Sequence, residues 1–262
     1  MKILIVNDDG YRGVGLHALI HALKDQHDLT VAVPSQERSG NSNCITFLTP
    51  LSVDKVHIEA LDFDVWTVDG TPADCTIMGL DQLCDGKPDV VISGINNGYN
   101  IADGILYSGT VAAALQGAIQ GIPTFALSVN HCYQWFDDAA MLFAELLPKF
   151  MEREKGNAFF YNINFPDVPV EKIKGILKST ISHGRMVEHF EKRISPYGRP
   201  YYWHAYDLAT EYDLCKEEGS DGFAVKNGYI SITPLRVDYL DKDALETMSD
   251  YDDVFHDWKD GQ

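Results

Sequence analysis

Short apolar runs alternate with amphipathic stretches along the first two-thirds of the chain. KILIV at 2–6 is a continuous apolar run of the kind that forms a buried strand, and Leu16, Leu19, Ile20 and Leu23 then repeat at i, i+3, i+4 and i+7, one face of a helix. LTVAV (29–33), DVVIS (89–93) and TFALSV (124–129) predict further strands, and within 45–69 the segments KVHIEA and FDVWTV predict a pair of short ones. GTVAAALQGAIQG (109–121), closed by Gly121 and Pro123, and DDAAMLFAELLPKF (137–150) predict helices. In GTPADC (70–75) a helix should begin, because Thr71 can cap, Pro72 fits the first helical position and Asp74 the third. Strands separated by helices imply a parallel sheet, since parallel neighbours need crossover connections that cover both faces.

After Lys155 the pattern changes. AFFYNINFP (158–166) continues the sheet, whereas 173–235 is β-rich and irregular, with an aromatic stretch PYGRPYYWHAYDL and one more strand at GYISITPL (228–235). The expected fold is therefore α/β: a Rossmann-like core over 1–170, with a mostly parallel sheet and helices on both faces, and a β-rich C-terminal region over 171–262. That region is integrated with the core, packing on it or on a partner subunit.

The chain of 262 residues is long enough for one sizeable core. Its 21 basic and 39 acidic residues give a net charge of −18, which argues against nucleic acid or an anionic membrane as a partner. An anionic small substrate would need a metal ion or backbone N–H groups to offset that field. Five cysteines lie scattered without a CxxC pair, which suits a reducing compartment. With no leader pattern and no apolar run near the about 18 residues of a membrane span, the expectation is a soluble cytoplasmic protein.

In an open parallel sheet the ligand crevice lies outside the carboxyl ends of the strands. Three polar loops are expected there: NDDG after KILIV, SQERSGNSN after LTVAV, and SGINNGYN after DVVI; YSGT (107–110) opens a helix beside them. Adjacent Asp8 and Asp9 cannot both be buried and ionised without a cation. Together with the Ser39 hydroxyl and the Asn96 amide oxygen they make a hard oxygen set suited to magnesium, manganese or calcium. The competing reading is that one of the aspartates simply caps the next helix. SGNSN and SGT expose backbone N–H groups, and the helix beginning near Thr110 adds a positive dipole end, a cradle for an anion. Ser108 could equally be an ordinary N-cap, and Asn41, Asn43, Asn96, Asn97 and Asn100 turn formers.

Other motifs fail on spacing. GVGLHA matches a dinucleotide fingerprint but starts at Gly13, well after the strand ends at Val6, and no acid closes the second strand. A D-x-D-G phosphatase would place its nucleophile at Asn7. No G-x-S-x-G elbow is present. His183 and His189 lie where a substrate lid could be, with surface placement the simpler account. Tyr201, Tyr202 and Trp203 could stack on a base, although such a run more often packs a core or an interface.

Taken in order, NDDG, RSGNSN (38–43), GTPADC, SGINNGYN (93–100), LYSGTVAAA (106–114) and GYISITPL resemble the SurE family, the survival-protein E nucleotidases, over nearly the whole chain. The resemblance implies a phosphatase that depends on one divalent metal ion per subunit, Mg2+ or Mn2+, and acts on nucleoside 5′-monophosphates and often 3′-monophosphates. Some members also trim short polyphosphate. It implies a C-terminal segment exchanged between subunits of a homodimer or homotetramer. It assigns Asp8, Asp9, Ser39 and Asn96 to the metal, with Asp8 and Asp9 catalytic, and Gly40, Asn43, Ser108, Gly109 and Thr110 to the phosphate. Two departures stand out: NIADGI keeps Asp103 but has Gly104 where the family commonly has a second acid, and SPYGRPYYW replaces a D-P-R-G-type segment. The alternatives are a phosphatase for polyphosphate or another phosphomonoester, and a non-catalytic nucleotide or metal sensor.

Overall fold

The structure is a computed structural model, and it describes residues 1–130, 134–183, 189–205, 216–238 and 240–251, with 256 and 259. Cys132, Cys215 and the end of the aromatic stretch (206–208) lie outside the described residues.

Among the described residues nine strands form one sheet in the order β3-β4-β2-β1-β5-β6-β7-β11-β8. The central run is parallel: β4 (Phe63–Val68), β2 (Asp28–Pro34), β1 (Lys2–Val6), β5 (Val90–Asn97), β6 (Thr124–Val129) and β7 (Phe160–Phe165). β3 (Val53–Ile58), the other of the two short strands predicted here, is antiparallel to β4. Beyond β7 lie antiparallel β11 (Ile230–Pro234) and then β8 (Ile176–Lys178), so part of the C-terminal region belongs to the sheet. β9 (His189–Ile194) and β10 (Pro200–Ala205) form a separate antiparallel hairpin.

Helices cover both faces because their apolar stripes match the strand residues beneath them. On one face α1 (Val14–Leu23) and α5 (Phe136–Arg153) pack together; Phe136, Ala139, Ala140, Phe143 and Leu147 form the buried stripe of α5, over Ile5, Ile92 and Phe125. On the other, α2 (Pro72–Met78) packs against α4 (Gly109–Ile119), which follows the short α3 (Gly104–Tyr107). Later come α6 (Asp221–Lys226), which the strand-rich reading did not predict, and α7 (Lys242–Thr247).

The start of α2 is the predicted one: the Thr71 hydroxyl accepts from the Asp74 N–H (3.1 Å), and the Asp74 carboxylate accepts from the Thr71 N–H (2.9 Å). Thr71→Ala is expected to lower stability by about 1–2 kcal/mol, read as a shift in the denaturant midpoint at unchanged slope.

β5 runs farther than DVVIS. It continues through SGINN with a register shift against β6 between Ser93 and Asn96. Gly94 makes this possible: it has a φ of +129°, and a Cβ there would lie 2.4 Å from the Leu127 carbonyl oxygen. Asn96 and Asn97 thus sit at a strand end, and not in the loop the sequence suggested.

Candidate functional site

From β1 the chain runs outward to β2 on one side and returns to β5 on the other, so the strand order reverses between β1 and β5. Such a switch point opens a crevice beyond the carboxyl ends of the two strands. The NDDG turn leaves β1 into it, and Asn96 and Asn97 end β5 beside it.

Asn7 is fully buried and closes the turn, its amide nitrogen donating to the Gly10 carbonyl (2.9 Å) and its oxygen accepting from the Gly10 N–H (3.1 Å). Asp8 and Asp9 then diverge. Asp8, 3 % exposed, goes to the start of α4, where its Oδ1 accepts a hydrogen bond from Thr110 Oγ1 at 2.5 Å. Asp9 lies beside Gly13, at the entry to α1.

Burial pushes the Asp8 carboxyl up, against the hydrogen bonds from Thr110, and Glu37 adds to the rise. Asp9 is pushed up to about 7, first by burial, then by the charges of Asp8 and Glu37, while the Asn97 N–H pulls the other way. The loop after β2 is tied in by its backbone: the Arg38 N–H donates to the Asp8 carbonyl (2.8 Å). That loop turns its one guanidinium to Asp69 (3.7 Å), so it brings an acid, Glu37, and not its arginine, to bear on the pair.

The remaining candidates are placed as follows. The Ser39 hydroxyl is exposed and donates to Glu37 Oε1 (3.2 Å). The Asn96 amide nitrogen donates to the Gly98 carbonyl (2.9 Å), which turns its oxygen the other way. Ser108 is the N-cap of α4, its hydroxyl accepting from the Val111 N–H (3.0 Å), and Gly109 packs directly on Asp8. Gly40 is exposed with a left-handed φ of +74°, and Asn43 accepts from Gln116 on α4 (2.7 Å). Thr110 therefore serves Asp8 directly, Ser108 serves the helix, and Asn43 reaches the flank of α4.

Glu37 escaped the sequence reading, and Asn97 entered it only among the asparagines weighed as turn formers. Glu37 stood inside a quoted loop but carries no motif of its own. The buried Oδ1 of Asn97 has no hydrogen-bond partner. The surplus of buried negative charge, with an unpartnered oxygen at the same strand end, fits a hard divalent cation. Among the described residues no cluster of three or more His, Cys, Asp or Glu forms a ready cage. A cation here would rest on two carboxylates supplemented by neutral amide and hydroxyl oxygens.

Tyr201, Tyr202 and Trp203 lie in β10, away from the sheet and well exposed, so they are not core residues. His183 and His189 are exposed too, and His183 faces Glu217 at 3.1 Å. Among the described residues no helix is long and apolar enough to cross a membrane.

A family model described as survival protein SurE matches residues 3–188. The chain belongs to this family. The 5′-nucleotidase SurE of Thermoanaerobacter sp. is 38 % identical over 253 residues, spanning 96 % of this chain and 98 % of that protein. The 5′-nucleotidase SurE of Pelotomaculum thermopropionicum is 40 % identical over 250 residues, 95 % of this chain and 94 % of that one. The crystal structure of the SurE protein from Aquifex aeolicus superposes with a TM-score of 0.80 at 37 % identity, covering 95 % of this chain and 98 % of that one.

Proposed function

We propose that this chain is a metal-dependent 5′-nucleotidase that hydrolyses nucleoside 5′-monophosphates, and secondarily 3′-monophosphates, to nucleoside and phosphate. The observation that carries the reading is the Asp8–Asp9 pair at the switch point, with the first turn of α4 set directly on Asp8. Relatives named 5′-nucleotidase over nearly the full length support it. Asp8, Asp9, Asn96 and Ser39 would hold one magnesium or manganese ion. Such an ion, when bound, supplies positive charge for the phosphate oxygens and makes a bound water more acidic.

The chain's own residues do the rest. Thr110 fixes the rotamer of Asp8, so that one carboxylate stays in place through turnover. Asp9, the less buried of the two, orients the attacking water and takes its proton. Gly109 and Thr110 turn backbone N–H groups and the dipole of α4 towards the non-bridging oxygens, and the loop after β2 adds Gly40 and Asn43 beside that helix. Ser108 keeps that first turn wound.

The acting unit in this proposal is a cytoplasmic homodimer or homotetramer joined through the C-terminal region. The exposed apolar side chains of the hairpin, Phe190, Ile194 and Trp203 at 60 % and Tyr197 at 90 %, support such a use.

The test is phosphate release from AMP, GMP, CMP and UMP with magnesium or manganese, and with chelator. Release that chelator abolishes and added cation restores is expected. Absence of release from all four with either metal would overturn the proposal.

A further inference from the structure

The loop between β5 and α4 carries the site from Asn96 to Thr110, and its underside rests on buried polar groups. The Asn100 N–H donates to Asn164 Oδ1 (2.9 Å), the Asn100 amide nitrogen to Ser128 Oγ (2.8 Å), and the Asn162 amide nitrogen to the Asn100 carbonyl (2.7 Å). Just beyond this ladder the chain takes a left-handed turn at Ala102, with a φ of +50°. For a residue with a side chain that conformation persists only where its surroundings hold it.

What holds it comes from far along the chain. Asp221, at the start of α6, is a carboxylate with no exposed surface. Its Oδ2 accepts from the Ala102 N–H (3.2 Å). Its Oδ1 accepts from the Ser182 N–H (2.9 Å), the Ser182 hydroxyl (2.5 Å) and the Gly222 N–H (2.8 Å). Its own N–H donates to the Thr180 carbonyl (2.8 Å). One oxygen thus binds the C-terminal segment to itself, and the other binds that segment to the site loop.

We infer that Asp221 is a positioning residue for hydrolysis, acting through Ala102 on α3, on the Ser108 cap and so on Thr110 and Asp8. This rests on the nucleotidase reading above. The two oxygens allow the role to be separated from a merely structural one. In Asp221→Asn the amide oxygen can keep the three bonds to Ser182 and Gly222. The amide nitrogen then stands where Oδ2 was and presents N–H against the Ala102 N–H, two donors facing each other. Ser182→Ala does the converse, loosening the C-terminal grip and leaving the bond to Ala102.

The experiment compares kcat and KM for AMP, with saturating magnesium, together with Tm, in wild type, Asp221→Asn, Ser182→Ala, Thr110→Ala and the Asp221→Asn/Thr110→Ala double variant. The expected result is a fall in kcat of about 10- to 100-fold for Asp221→Asn, the range a misplaced reacting group produces. Ser182→Ala should lower Tm with kcat within about twofold. On the Thr110→Ala background the loss from Asp221→Asn should shrink, because both changes spoil the same placement. The inference is overturned if Asp221→Asn lowers Tm at unchanged kcat, if both single variants lower kcat in proportion to Tm, or if the double variant is additive. A wild-type protein inactive under these conditions overturns the nucleotidase reading instead. Should Asp221→Asn not fold, Ala102→Gly decides. Glycine adopts that φ without strain, so a held turn predicts kcat within about twofold for Ala102→Gly and a smaller loss from Asp221→Ala on the Ala102→Gly background than alone; equal losses on both backgrounds overturn the inference.

Discussion

Asp9→Asn should remove nearly all turnover while making the metal-free protein more stable at pH 8. The first half follows from its assigned role: losing a group that orients and deprotonates water costs about 10²- to 10⁴-fold in kcat. The second follows from its environment. A carboxyl whose protonation midpoint rises from 3.8 to about 7 on folding is favoured protonated in the native state. Below 3.8 it is protonated folded and unfolded alike and leaves stability unchanged. Between 3.8 and 7 the unfolded chain ionises first, and the native state loses stability as pH rises; above 7 the full cost is present. Asparagine cannot ionise, so the variant escapes that cost, at most about 4 kcal/mol at pH 8. Chelated wild type should therefore lose Tm between pH 5 and pH 8 relative to chelated Asp9→Asn, and saturating magnesium should reduce the difference. Parallel pH profiles of the two chelated proteins would show that Asp9 is not held in a disfavoured ionised state.

The same residue illustrates what was legible beforehand. Two neighbouring acids at the end of KILIV announced a charge conflict that only a partner could resolve, and side-chain type with strand position is all that inference needs. The period of the apolar pattern likewise placed the core strands and α1, α4 and α5 within a few residues, since burial in a parallel sheet demands continuous apolar runs and helix faces demand a 3.6-residue repeat, while the four-residue α3 went unread. Asn96 and Asn97 were misjudged as loop residues because a register shift between Ser93 and Asn96 lets the strand continue through SGINN, where only Ile95 interrupts a run of small and polar residues. α6 was hidden because six residues capped by Ser220 are too few to display a period. Asp221 was invisible as an anchor for another reason: its partner Ala102 donates from the backbone, and no side chain marks where such a donor will be. Long-range contacts to peptide groups leave no signature in either segment.

Gly109→Ala should damage activity through one methyl group set against Asp8. A Cβ at this position would lie 2.8 Å from the Asp8 Cβ, 2.9 Å from Asp8 Oδ2 and 3.1 Å from the Pro72 ring. None of these can retreat easily. Asp8 is held by Thr110, and Pro72 is locked into the capped first turn of α2. Either α4 withdraws or Asp8 leaves its rotamer, and both separate the carboxylate from the turn of helix proposed to receive the phosphate. Overpacking of this kind costs about 1–3 kcal/mol in stability, and misplacement of the reacting groups should lower kcat/KM by about 10- to 100-fold. Gly117→Ala is the matched control, because it lies further along the same helix and its Cβ would meet Thr124 Oγ1 at 2.7 Å and the Val91 side chain at 2.9 Å. It should lose comparable stability and keep most of its turnover. Equal losses of kcat/KM in the two variants would mean that activity follows the general seating of α4 on the sheet. A loss confined to Gly109→Ala would mean that catalysis depends on the contact between this first turn and Asp8.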